Sequence, residues 1–499
     1  MLTDAAPQAQ TDEIEVAIIG CGPVGAMLAN LLGLQGVRTL VLDREAAIYH
    51  LPRAVHFDDE VMRLLQTVGL AEAMQPLVHV SPGMKFVSDT GRLLLDWPRP
   101  QELGPQAWHA SYRFHQPELE RVLREGFWRF PSVSVRFRTE VFAIDRESDA
   151  VVVRYEDLAT GGLASCRARY VVGCDGARSL VRRLMGAPME DLGFHERWLV
   201  VDAILKRPRP DLGDWSVQHC NRQRPATYVR GTGNRRRWEI AVMPGEDGAA
   251  ITEPARVFEL LKPWVGAEDV DLERTAVYAF HSAIATLWRS GRLLIAGDSA
   301  HLTPPFLGQG MCAGMRDAGN LAWKLARVLR GQNDDALLDT YQAERSPHVR
   351  EYIELAVRLG GLINTKAMEA AVAGAVIEGG EAARMSSIKP RLGPGLAAGW
   401  NGPSGQIAPQ PRLTDGVRLD DRVGYRFAAL MRPDFAASLP AATLERLADR
   451  EVMVVADDAP EQQAWLQAAE APAVLVRPDR YVLGAARSVQ ELNALAAAV

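Results

Sequence analysis

The residues most able to do chemistry form a glycine-rich motif near the start of the chain. Residues 20–25 (GCGPVG) fit the pattern G-x-G-x-x-G, between an apolar run and an apolar, helix-like segment. In that pattern Gly20 permits a tight turn, Gly22 lets a pyrophosphate approach the backbone, and Gly25 lets helix and strand pack closely. The start of the helix then offers free N–H groups to phosphates. Asp43, 23 residues after Gly20, ends the next apolar run, where its carboxylate could accept hydrogen bonds from a ribose.

Two later motifs also place polar residues directly after buried strands. Residues 170–179 (YVVGCDGARS) combine a strand with an acidic glycine turn, and residues 293–301 (LLIAGDSAH) form a strand that ends in Gly-Asp. Residues 304–311 (PPFLGQGM) follow the second of these motifs. A carboxylate at a strand tip, such as Asp298, suits a ribityl hydroxyl, and the turn 308–311 opens a helix whose positive end could stabilise a reduced flavin. The first motif alone leaves NAD and FAD open; the three motifs together favour FAD.

The elements that would position these motifs predict a doubly wound parallel sheet. Residues 14–19 have the β-branched character of a buried strand, residues 23–35 that of a helix, and residues 39–42 that of a second strand. Such a βαβ unit begins a Rossmann-like fold. Further along, residues 227–230 and 237–242 flank the turn GTGN, a hairpin signal within a strand-rich region. We therefore expect an antiparallel platform beside the first sheet.

The length of 499 residues exceeds what one ordinary core holds and predicts two or three domains. We predict an α/β fold whose FAD-binding domain is discontinuous, over residues 1–80, 106–185 and 291–388. An inserted antiparallel-sheet domain, which would bind the substrate, is predicted at residues 81–105 and 186–290. A Pro- and Gly-rich linker, residues 389–411, would lead to a compact α/β module at residues 412–499.

Composition and charge argue against several classes of protein. Lys and Arg total 56 and Asp and Glu total 62, a formal net charge of −6, so no nucleic-acid partner is indicated. The five cysteines include no C-x-x-C pair and the ten histidines show no ligand spacing, which argues against disulfides and a metal site. The polar N-terminus lacks the pattern of a signal peptide, and glycines and a proline interrupt the uncharged residues 16–35. We expect a cytoplasmic protein with no membrane partner.

The three motifs, in this order, resemble those of the single-component FAD-dependent aromatic hydroxylases, the class A flavoprotein monooxygenases similar to p-hydroxybenzoate hydroxylase. The resemblance runs over about residues 14–360 and implies an FAD-binding domain of the glutathione-reductase-2 type. Residues 50–60 (HLPRAVHFDDE) are most similar to the 3-(3-hydroxyphenyl)propionate hydroxylase branch. The module at 412–499, with residues 476–482 (VRPDRYV), resembles the thioredoxin-like tail of phenol and polyketide hydroxylases. Because it contains no cysteine, we expect this tail to be structural or to form a homodimer.

The resemblance implies a reaction as well as a fold. NADPH or NADH would reduce FAD, O2 would add to give a flavin C4a-hydroperoxide, and its distal oxygen would go to an electron-rich aromatic ring such as a phenol. An alternative keeps the fold but acts on a larger, polyketide-like substrate by epoxidation, Baeyer–Villiger insertion or dehydrogenation. A non-enzymatic binding module is disfavoured by the intact Asp298 and the turn 308–311.

The resemblance also assigns individual residues. The residues expected to bind the cofactor are Gly20, Gly22, Pro23, Val24, Gly25, Asp43, Arg44, Arg53, Arg113, Gln116, Asp175, Arg178, Gly297, Asp298, Pro305, Gly308, Gln309, Gly310 and Met311. Among them Arg53, Asp298 and Pro305 are expected to act in catalysis. The residues that could line the substrate pocket, taken from the antiparallel platform, are Tyr228, Trp238, Met243 and His219. The chain departs from the family at Asp43, where Glu is common, and at Cys312, where Asn is common.

Basic runs and histidines also have ordinary structural interpretations. Residues 235–237 (RRR) could bind the phosphate of a nicotinamide cofactor, although such runs are usually solvated surface. His56, His115 and His301 could move a proton from a phenol, although each is more often a packed or capping histidine. Cys312 is expected to be a small buried side chain rather than a redox centre.

Overall fold

The computed structural model describes residues 14–221, 223–363, 383–396, 399 and 402–499. The last segment of the predicted FAD-binding domain, residues 291–388, lies partly outside these ranges, as does part of the predicted linker 389–411. Within the described ranges, no helix combines the length and the apolar character that a membrane crossing requires.

The first sheet grows from the predicted βαβ unit. Strand Ile14–Ile19 pairs in parallel with Thr39–Leu42 on one side and with Gly162–Gly173 on the other. Helix Pro23–Leu34 connects the first two strands, and proline at its first position fits a helix start. In spatial order the strands are Arg289–Ser290, Leu293–Ile295, Gly162–Gly173, Ile14–Ile19, Thr39–Leu42 and Val133–Arg136, with Val151–Asp157 and Thr139–Arg146 branching from Gly162–Gly173.

The second sheet is mainly antiparallel and is built on two long strands, Met189–Leu205 and Val270–Ala285. In spatial order its strands are His301–Leu302, Val270–Ala285, Met189–Leu205, Arg235–Ala241, Ala226–Arg230, Ser216–Cys220, Gly83–Ser88, Leu93–Pro98 and Ala383–Arg384. The predicted hairpin is present as Ala226–Arg230 paired with Arg235–Ala241. Strand Ala383–Arg384, which the predicted division assigns to the first domain, pairs with Leu93–Pro98 in this second sheet.

A small sheet and several helices join the two large sheets. The small sheet contains His56–Asp58, Ser111–Arg113 and His79–Val80. Before the C-terminal unit, the described helices other than Pro23–Leu34 are Asp59–Thr67, Ala71–Met74, Gln116–Phe127, Leu180–Met185, Pro254–Leu261, Gly310–Leu329 and Asp339–Ile363. Helix Gly310–Leu329 is the most enclosed, since all of its residues from 312 to 329 are buried.

The C-terminal unit, residues 419–497, has its own sheet. Its strands lie in the order Val452–Ala456, Phe427–Met431, Ala473–Val476 and Val482–Ala486, and only the first two are parallel. Its helices are Leu419–Val423, Pro433–Ala437, Ala441–Asp449, Pro460–Ala468 and Val489–Ala497. The last helix begins as its sequence suggests, because the Ser488 hydroxyl accepts a hydrogen bond from the backbone N–H of Glu491 at 3.2 Å.

Candidate cofactor and substrate site

A cavity of about 520 Å³ lies where the first and second sheets meet. The cofactor residues predicted from the sequence that line it are Gly22, Pro23, Val24, Arg53, Arg113, Gln116, Asp298, Pro305, Gly308, Gln309, Gly310 and Met311. The others, which do not line the cavity, are Gly20, Gly25, Asp43, Arg44, Asp175, Arg178 and Gly297.

The glycine turn 20–25 forms a cradle that has space for a phosphate. Gly20 has φ +99°, and a Cβ there would lie 2.5 Å from the carbonyl oxygen of Cys174. A Cβ at Gly25 would lie 2.0 Å from the carbonyl oxygen of Gly20, whereas a Cβ at Gly22 would meet no atom within 4 Å. No side chain caps the start of helix Pro23–Leu34. Its free N–H groups and the open space at Gly22 therefore fit the pyrophosphate of FAD.

Asp43 orients this turn. Its Oδ2 accepts a hydrogen bond from the backbone N–H of Cys21 at 2.6 Å, and its Oδ1 accepts one from Glu45 at 2.8 Å. A carboxylate has further lone pairs, which a ribose hydroxyl can use. Arg44 instead points to solvent and contacts Glu45 at 3.1 Å.

The loop that carries Arg53 is held from both sides. The side-chain oxygen of Gln116 accepts hydrogen bonds from the backbone N–H groups of Arg53 and Ala54, at 2.9 and 2.7 Å. From the second sheet, Arg237 donates to the carbonyl oxygens of Pro52 and Arg53, at 2.6 and 2.8 Å. Arg237 is itself buried and paired with Asp202 at 2.7 Å, so this member of the basic run 235–237 is not part of a solvated surface. These bonds fix the backbone of the loop at the cavity wall.

Asp175 stabilises the turn of the second motif. Its Oδ1 accepts hydrogen bonds from the hydroxyls of Ser179 and Ser299, at 2.5 and 3.0 Å. Its Oδ2 accepts from the backbone N–H of Leu180 at 2.6 Å, at the start of helix Leu180–Met185. Asp175 therefore connects the second motif to the third, while Arg178 is exposed at the surface.

A buried ionic group sits behind Asp298. The carboxylate of Asp317 accepts hydrogen bonds from the backbone N–H of Gly297 at 3.0 Å, from His301 Nε2 at 2.7 Å and from Arg345 Nε at 2.9 Å. Burial alone would raise the pKa of Asp317, but the charges of His301 and Arg345 lower it below its ordinary value. Gly297 has φ +62°, so this group holds a left-handed turn that directs Asp298 into the cavity.

The turn 308–311 lines the same cavity as the glycine turn 20–25. Gly308 has φ +64°, and a Cβ there would lie 3.0 Å from His56 Nδ1. No side chain caps helix Gly310–Leu329, and the thiol of Cys312 donates to the carbonyl oxygen of Gly308 at 3.6 Å. The helix start can therefore receive negative charge, as a reduced flavin requires. Pro305 lies in the short helical turn before it, Pro305–Leu307.

His56 is neutral and acts as a positioning residue. Burial, and then the charges of Arg113 and Arg99, lower its pKa to about 3. Its Nδ1 lies 3.3 Å from the carbonyl oxygen of Gly308 and its Nε2 lies 2.9 Å from Ser111 Oγ. Because a carbonyl can only accept, Nδ1 carries the hydrogen and Nε2 accepts the hydroxyl hydrogen of Ser111. This leaves the oxygen of Ser111 as an acceptor at the cavity wall.

The four residues predicted to line the substrate pocket are not among the described residues that line this cavity. Tyr228 and Trp238 face each other across the hairpin, with ring centroids 5.6 Å apart, and pack into a core on the opposite face of the second sheet. His219 Nε2 accepts a hydrogen bond from Trp264 Nε1 at 3.3 Å, and Met243 is half-buried beside another apolar cluster.

The hairpin instead presents Thr227, Val229 and Glu239 to the cavity. Two arginines that the sequence did not single out for the substrate also reach it. Arg99 comes from the end of strand Leu93–Pro98, and Arg113 donates to Ser216 Oγ at 2.5 Å. Burial lowers the pKa of each guanidinium to about 10, and the charge of Arg99 contributes to the lowering at Arg113.

Comparison with known proteins identifies the family. A family described as FAD binding domain matches residues 13–356, and a family described as HcaD C-terminal domain matches residues 434–499. The chain is 38% identical to a probable NADH-specific resorcinol 4-hydroxylase of Rhodococcus jostii, over 98% of this chain and 95% of that protein. It is 35% identical to a 3-(3-hydroxy-phenyl)propionate/3-hydroxycinnamic acid hydroxylase of Mycolicibacterium smegmatis, over 95% and 90%.

A solved structure supports the fold over the whole length. The flavin-dependent monooxygenase PieE, in complex with FAD and substrate, aligns with a TM-score of 0.81 and 21% identity, over 99% of both chains. The glycine cradle at residues 20–25 of the present chain and its sequence identity to two hydroxylases both agree with the family that the three motifs resemble. The chain therefore belongs to the FAD-binding family of NAD(P)H-dependent flavoprotein monooxygenases that hydroxylate aromatic rings.

Proposed function

We propose that this enzyme hydroxylates a single-ring phenol that carries a carboxylate side chain, with NADH as the reductant. The observation that carries this proposal is the pair of arginines, Arg99 and Arg113, in the wall of the cavity that also contains the FAD cradle. The names of the two relatives, which specify resorcinol and a hydroxyphenylpropionate, support a small phenolic ring.

The two arginines call for an anion, because Asp58 and Asp59, the carboxylates whose charges act on Arg99, are already paired with Arg316 and Lys389. The charge of Glu239 acts on Arg113, but the same carboxylate also pairs with Arg237 at 3.7 Å, so Arg113 does not have it to itself. Burial raises the pKa of Glu239, which weakens it further as a counter-charge. A substrate carboxylate between Arg99 and Arg113 would form charge-assisted hydrogen bonds in a site shielded from water, where such bonds are strongest.

The remaining wall suits an aromatic ring. Tyr278 and Phe280 line the cavity with their rings nearly parallel, at an interplanar angle of 12° and a centroid distance of 6.2 Å. Trp97 lies beneath the guanidinium of Arg99, 3.9 Å from its ring centroid. The Ser111 oxygen, whose hydrogen is held by His56, can accept a hydrogen bond from the phenol O–H. Together these groups would orient a ring and its hydroxyl.

FAD, when bound, supplies the redox chemistry, accepting electrons from NADH and activating O2 so that one oxygen atom enters the ring. The chain's own residues bind and orient. Helix Pro23–Leu34 and Asp43 would hold the adenosine diphosphate, Asp298 the ribityl chain, and the turn 308–311 the flavin ring. The apolar walls exclude water, which protects a reactive oxygen species from wasteful decay.

The finer architecture is part of the proposal. The division into an FAD-binding domain of the glutathione-reductase-2 type, a substrate domain, a linker and a thioredoxin-like tail is supported by the separate sheets of eight, nine and four strands. The parallel pair followed by antiparallel strands, in the C-terminal sheet, supports the thioredoxin likeness. The homodimer and the cytoplasmic location stay predictions. The alternative of a polyketide-like substrate is not favoured, because the two relatives act on single-ring phenols by name.

A matched pair of ligands tests the substrate class. We would compare 3-(3-hydroxyphenyl)propionate with its neutral amide in the parent enzyme and in Arg113→Met, which keeps side-chain length but loses the charge. Flavin absorbance reports ligand binding, and NADH consumption, peroxide and product mass report coupled hydroxylation. We expect Arg113→Met to weaken binding of the acid by about ten- to hundredfold, as for loss of hydrogen bonds to a charged group. Binding of the amide should change little.

Arg154→Met serves as the control, because Arg154 is an exposed residue on a distant strand and pairs only with Asp145 at 2.5 Å in the contacts described. Equal weakening of acid and amide by Arg113→Met would contradict a carboxylate-binding role. Coupled turnover of resorcinol but not of the acid by the parent enzyme would replace the proposed substrate class with a neutral phenol.

A further inference from the structure

We propose that the C-terminal unit holds the flavin-binding turn 308–311 in its binding conformation, through a line of buried polar side chains that ends at Tyr481. The inference concerns FAD binding and does not depend on the choice of substrate. It assigns a function to a unit that contains no cysteine and does not line the cavity.

The line begins inside the flavin turn. Gln309 Nε2 donates to Asp58 Oδ2 at 3.1 Å, and Gln309 Oε1 accepts from Arg316 Nη1 at 3.1 Å. Arg316 Nη2 donates to the same Asp58 oxygen at 2.5 Å. All three side chains are buried, with exposed fractions of 8% or less. The side chain of Gln309, whose backbone precedes helix Gly310–Leu329, is therefore held at both ends of its amide.

The line continues into the C-terminal unit. Arg316 Nε donates to Glu60 Oε2 at 2.8 Å, and the Tyr481 hydroxyl donates to the same oxygen at 2.9 Å. The Tyr481 oxygen lies 3.1 Å from Nε2 of His348. Burial, together with the charges of Arg345 and Arg316, keeps the pKa of His348 well below its usual value, so the ring is neutral and its Nε2–H can donate to Tyr481.

The position of Arg316 depends on both carboxylates. Asp58 and Glu60 both pair with Arg316, at 2.5 and 2.8 Å, so two carboxylates share one guanidinium. The Tyr481 hydroxyl supplies Glu60 with a second donor, in a buried place where a carboxylate that lacks donors is costly. Without that donor, Glu60 would draw more strongly on Arg316, and the hold of Arg316 on Gln309 would loosen.

A loosened turn weakens FAD binding without any contact between Tyr481 and FAD. The apparent dissociation constant rises in inverse proportion to the fraction of molecules whose turn is in the binding conformation. If that fraction falls to about a tenth, the FAD dissociation constant rises about tenfold.

The chain offers a matched control. Tyr425 also belongs to the C-terminal unit and is buried, and its hydroxyl donates to the carbonyl oxygen of Gly319 in helix Gly310–Leu329 at 2.6 Å. Gly319 is ten residues beyond Gln309, which corresponds to about 15 Å along the helix. Tyr425→Phe therefore removes an equivalent bond that does not belong to the line.

The test compares Tyr481→Phe, Tyr425→Phe and the parent enzyme. Thermal unfolding of the apoproteins measures stability, titration with FAD followed by flavin fluorescence measures affinity, and the flavin absorbance spectrum reports its environment. We expect both variants to lower the unfolding midpoint, but only Tyr481→Phe to raise the FAD dissociation constant, by about tenfold, and to shift the spectrum. Glu60→Gln, which keeps shape but removes one charge, should raise the dissociation constant as well.

The double variant Glu60→Gln with Tyr481→Phe completes a cycle. Two residues that act through one line should give a combined effect smaller than the product of the single effects. Equal FAD affinities in Tyr481→Phe and Tyr425→Phe would overturn the proposal, as would single effects that multiply in the double variant.

Discussion

Two glycines of the first motif allow cofactor binding to be separated from folding by the same substitution. A Cβ at Gly25 would lie 2.0 Å from the carbonyl oxygen of Gly20, and a Cβ in a real protein essentially never comes closer than 3.0 Å to another heavy atom. Gly25→Ala must therefore move the backbone by about 1 Å. A Cβ at Gly22 has no neighbour within 4 Å, so Gly22→Ala requires no movement of the protein.

The magnitudes follow from these distances. Because the clash is with backbone, overpacking should cost about 2–3 kcal/mol, the upper part of its usual range. Alanine recovers about 1 kcal/mol through its helix propensity, so Gly25→Ala should destabilise the apoprotein by about 1–2 kcal/mol. Gly22 has φ −71° and ψ −174°, which alanine adopts without strain. Gly22 is also the N-cap residue of the helix, where alanine is less favourable than glycine, and this cost offsets the gain from a stiffer unfolded chain. Gly22→Ala should therefore change the stability of the apoprotein by less than about 1 kcal/mol. Its methyl would occupy the space for the phosphate, so the FAD dissociation constant should rise about ten- to hundredfold.

The assay combines apoprotein unfolding with FAD titration for both variants and the parent. The reasoning would be refuted if Gly22→Ala bound FAD as tightly as the parent, because a phosphate could not then approach Gly22. It would also be refuted if Gly25→Ala matched the parent in stability, since the 2.0 Å contact would then carry no cost.

Three further predictions follow from the buried groups around the cavity. Asp317→Asn should leave the buried Arg345 without its counter-charge and lower apoprotein stability by about 3–5 kcal/mol, measured by urea unfolding; an unchanged midpoint would contradict this role. Burial lowers the pKa of His56 from the ordinary 6.5 to about 3 in the folded protein. Between these two pH values the unfolded chain binds a proton that the folded chain does not bind, so the stability of the protein falls as the pH drops through that window. His56→Asn should remove the part of this loss that comes from one proton, about 1.4 kcal/mol of unfolding free energy per pH unit within the window. If the variant and the parent lost stability equally with falling pH, a neutral His56 would be excluded. Finally, burial raises the pKa of Cys21 to about 12 and that of Cys312 well above its usual value, so a thiol reagent at neutral pH should modify neither until the protein is unfolded, as mass mapping of labelled peptides will show.

Local patterns predicted the strand, turn and helix of residues 14–35, which contribute Gly22, Pro23 and Val24 to the cavity wall. The strand, glycine turn and helix at 14–35 carry their own start and stop signals, and the structure gives Ile14–Ile19 and Pro23–Leu34. The turn GTGN likewise predicts the hairpin, which the structure forms from Ala226–Arg230 and Arg235–Ala241. The central strand of the C-terminal unit, Phe427–Met431, was missed, because five consecutive apolar residues show no alternation and cannot be told from a helix segment by periodicity.

The substrate side was harder to predict, for a physical reason. Side chains alternate between the two faces of a strand, so Thr227 and Val229 face the cavity while Tyr228, between them, faces a separate core. Which face is which depends on helix Pro254–Leu261, which packs on one side of the sheet and is distant in sequence. Arg99 likewise reaches the cavity only through the pairing of Leu93–Pro98 with its neighbours, which no local signal announces.

The buried charges of helix Gly310–Leu329 also constrain how the chain can fold as it is synthesised. Lys324 and Glu344 are fully buried, 2.6 Å apart, and the same carboxylate binds Arg477 at 2.7 and 2.8 Å. Arg477 emerges from the ribosome 133 residues after Glu344, which at about 5–20 residues per second is a delay of roughly 7 to 27 s. During that interval the cluster of Lys324 and Glu344 lacks its third member, Arg477. A fragment that stops before the C-terminal unit would remain in that state permanently.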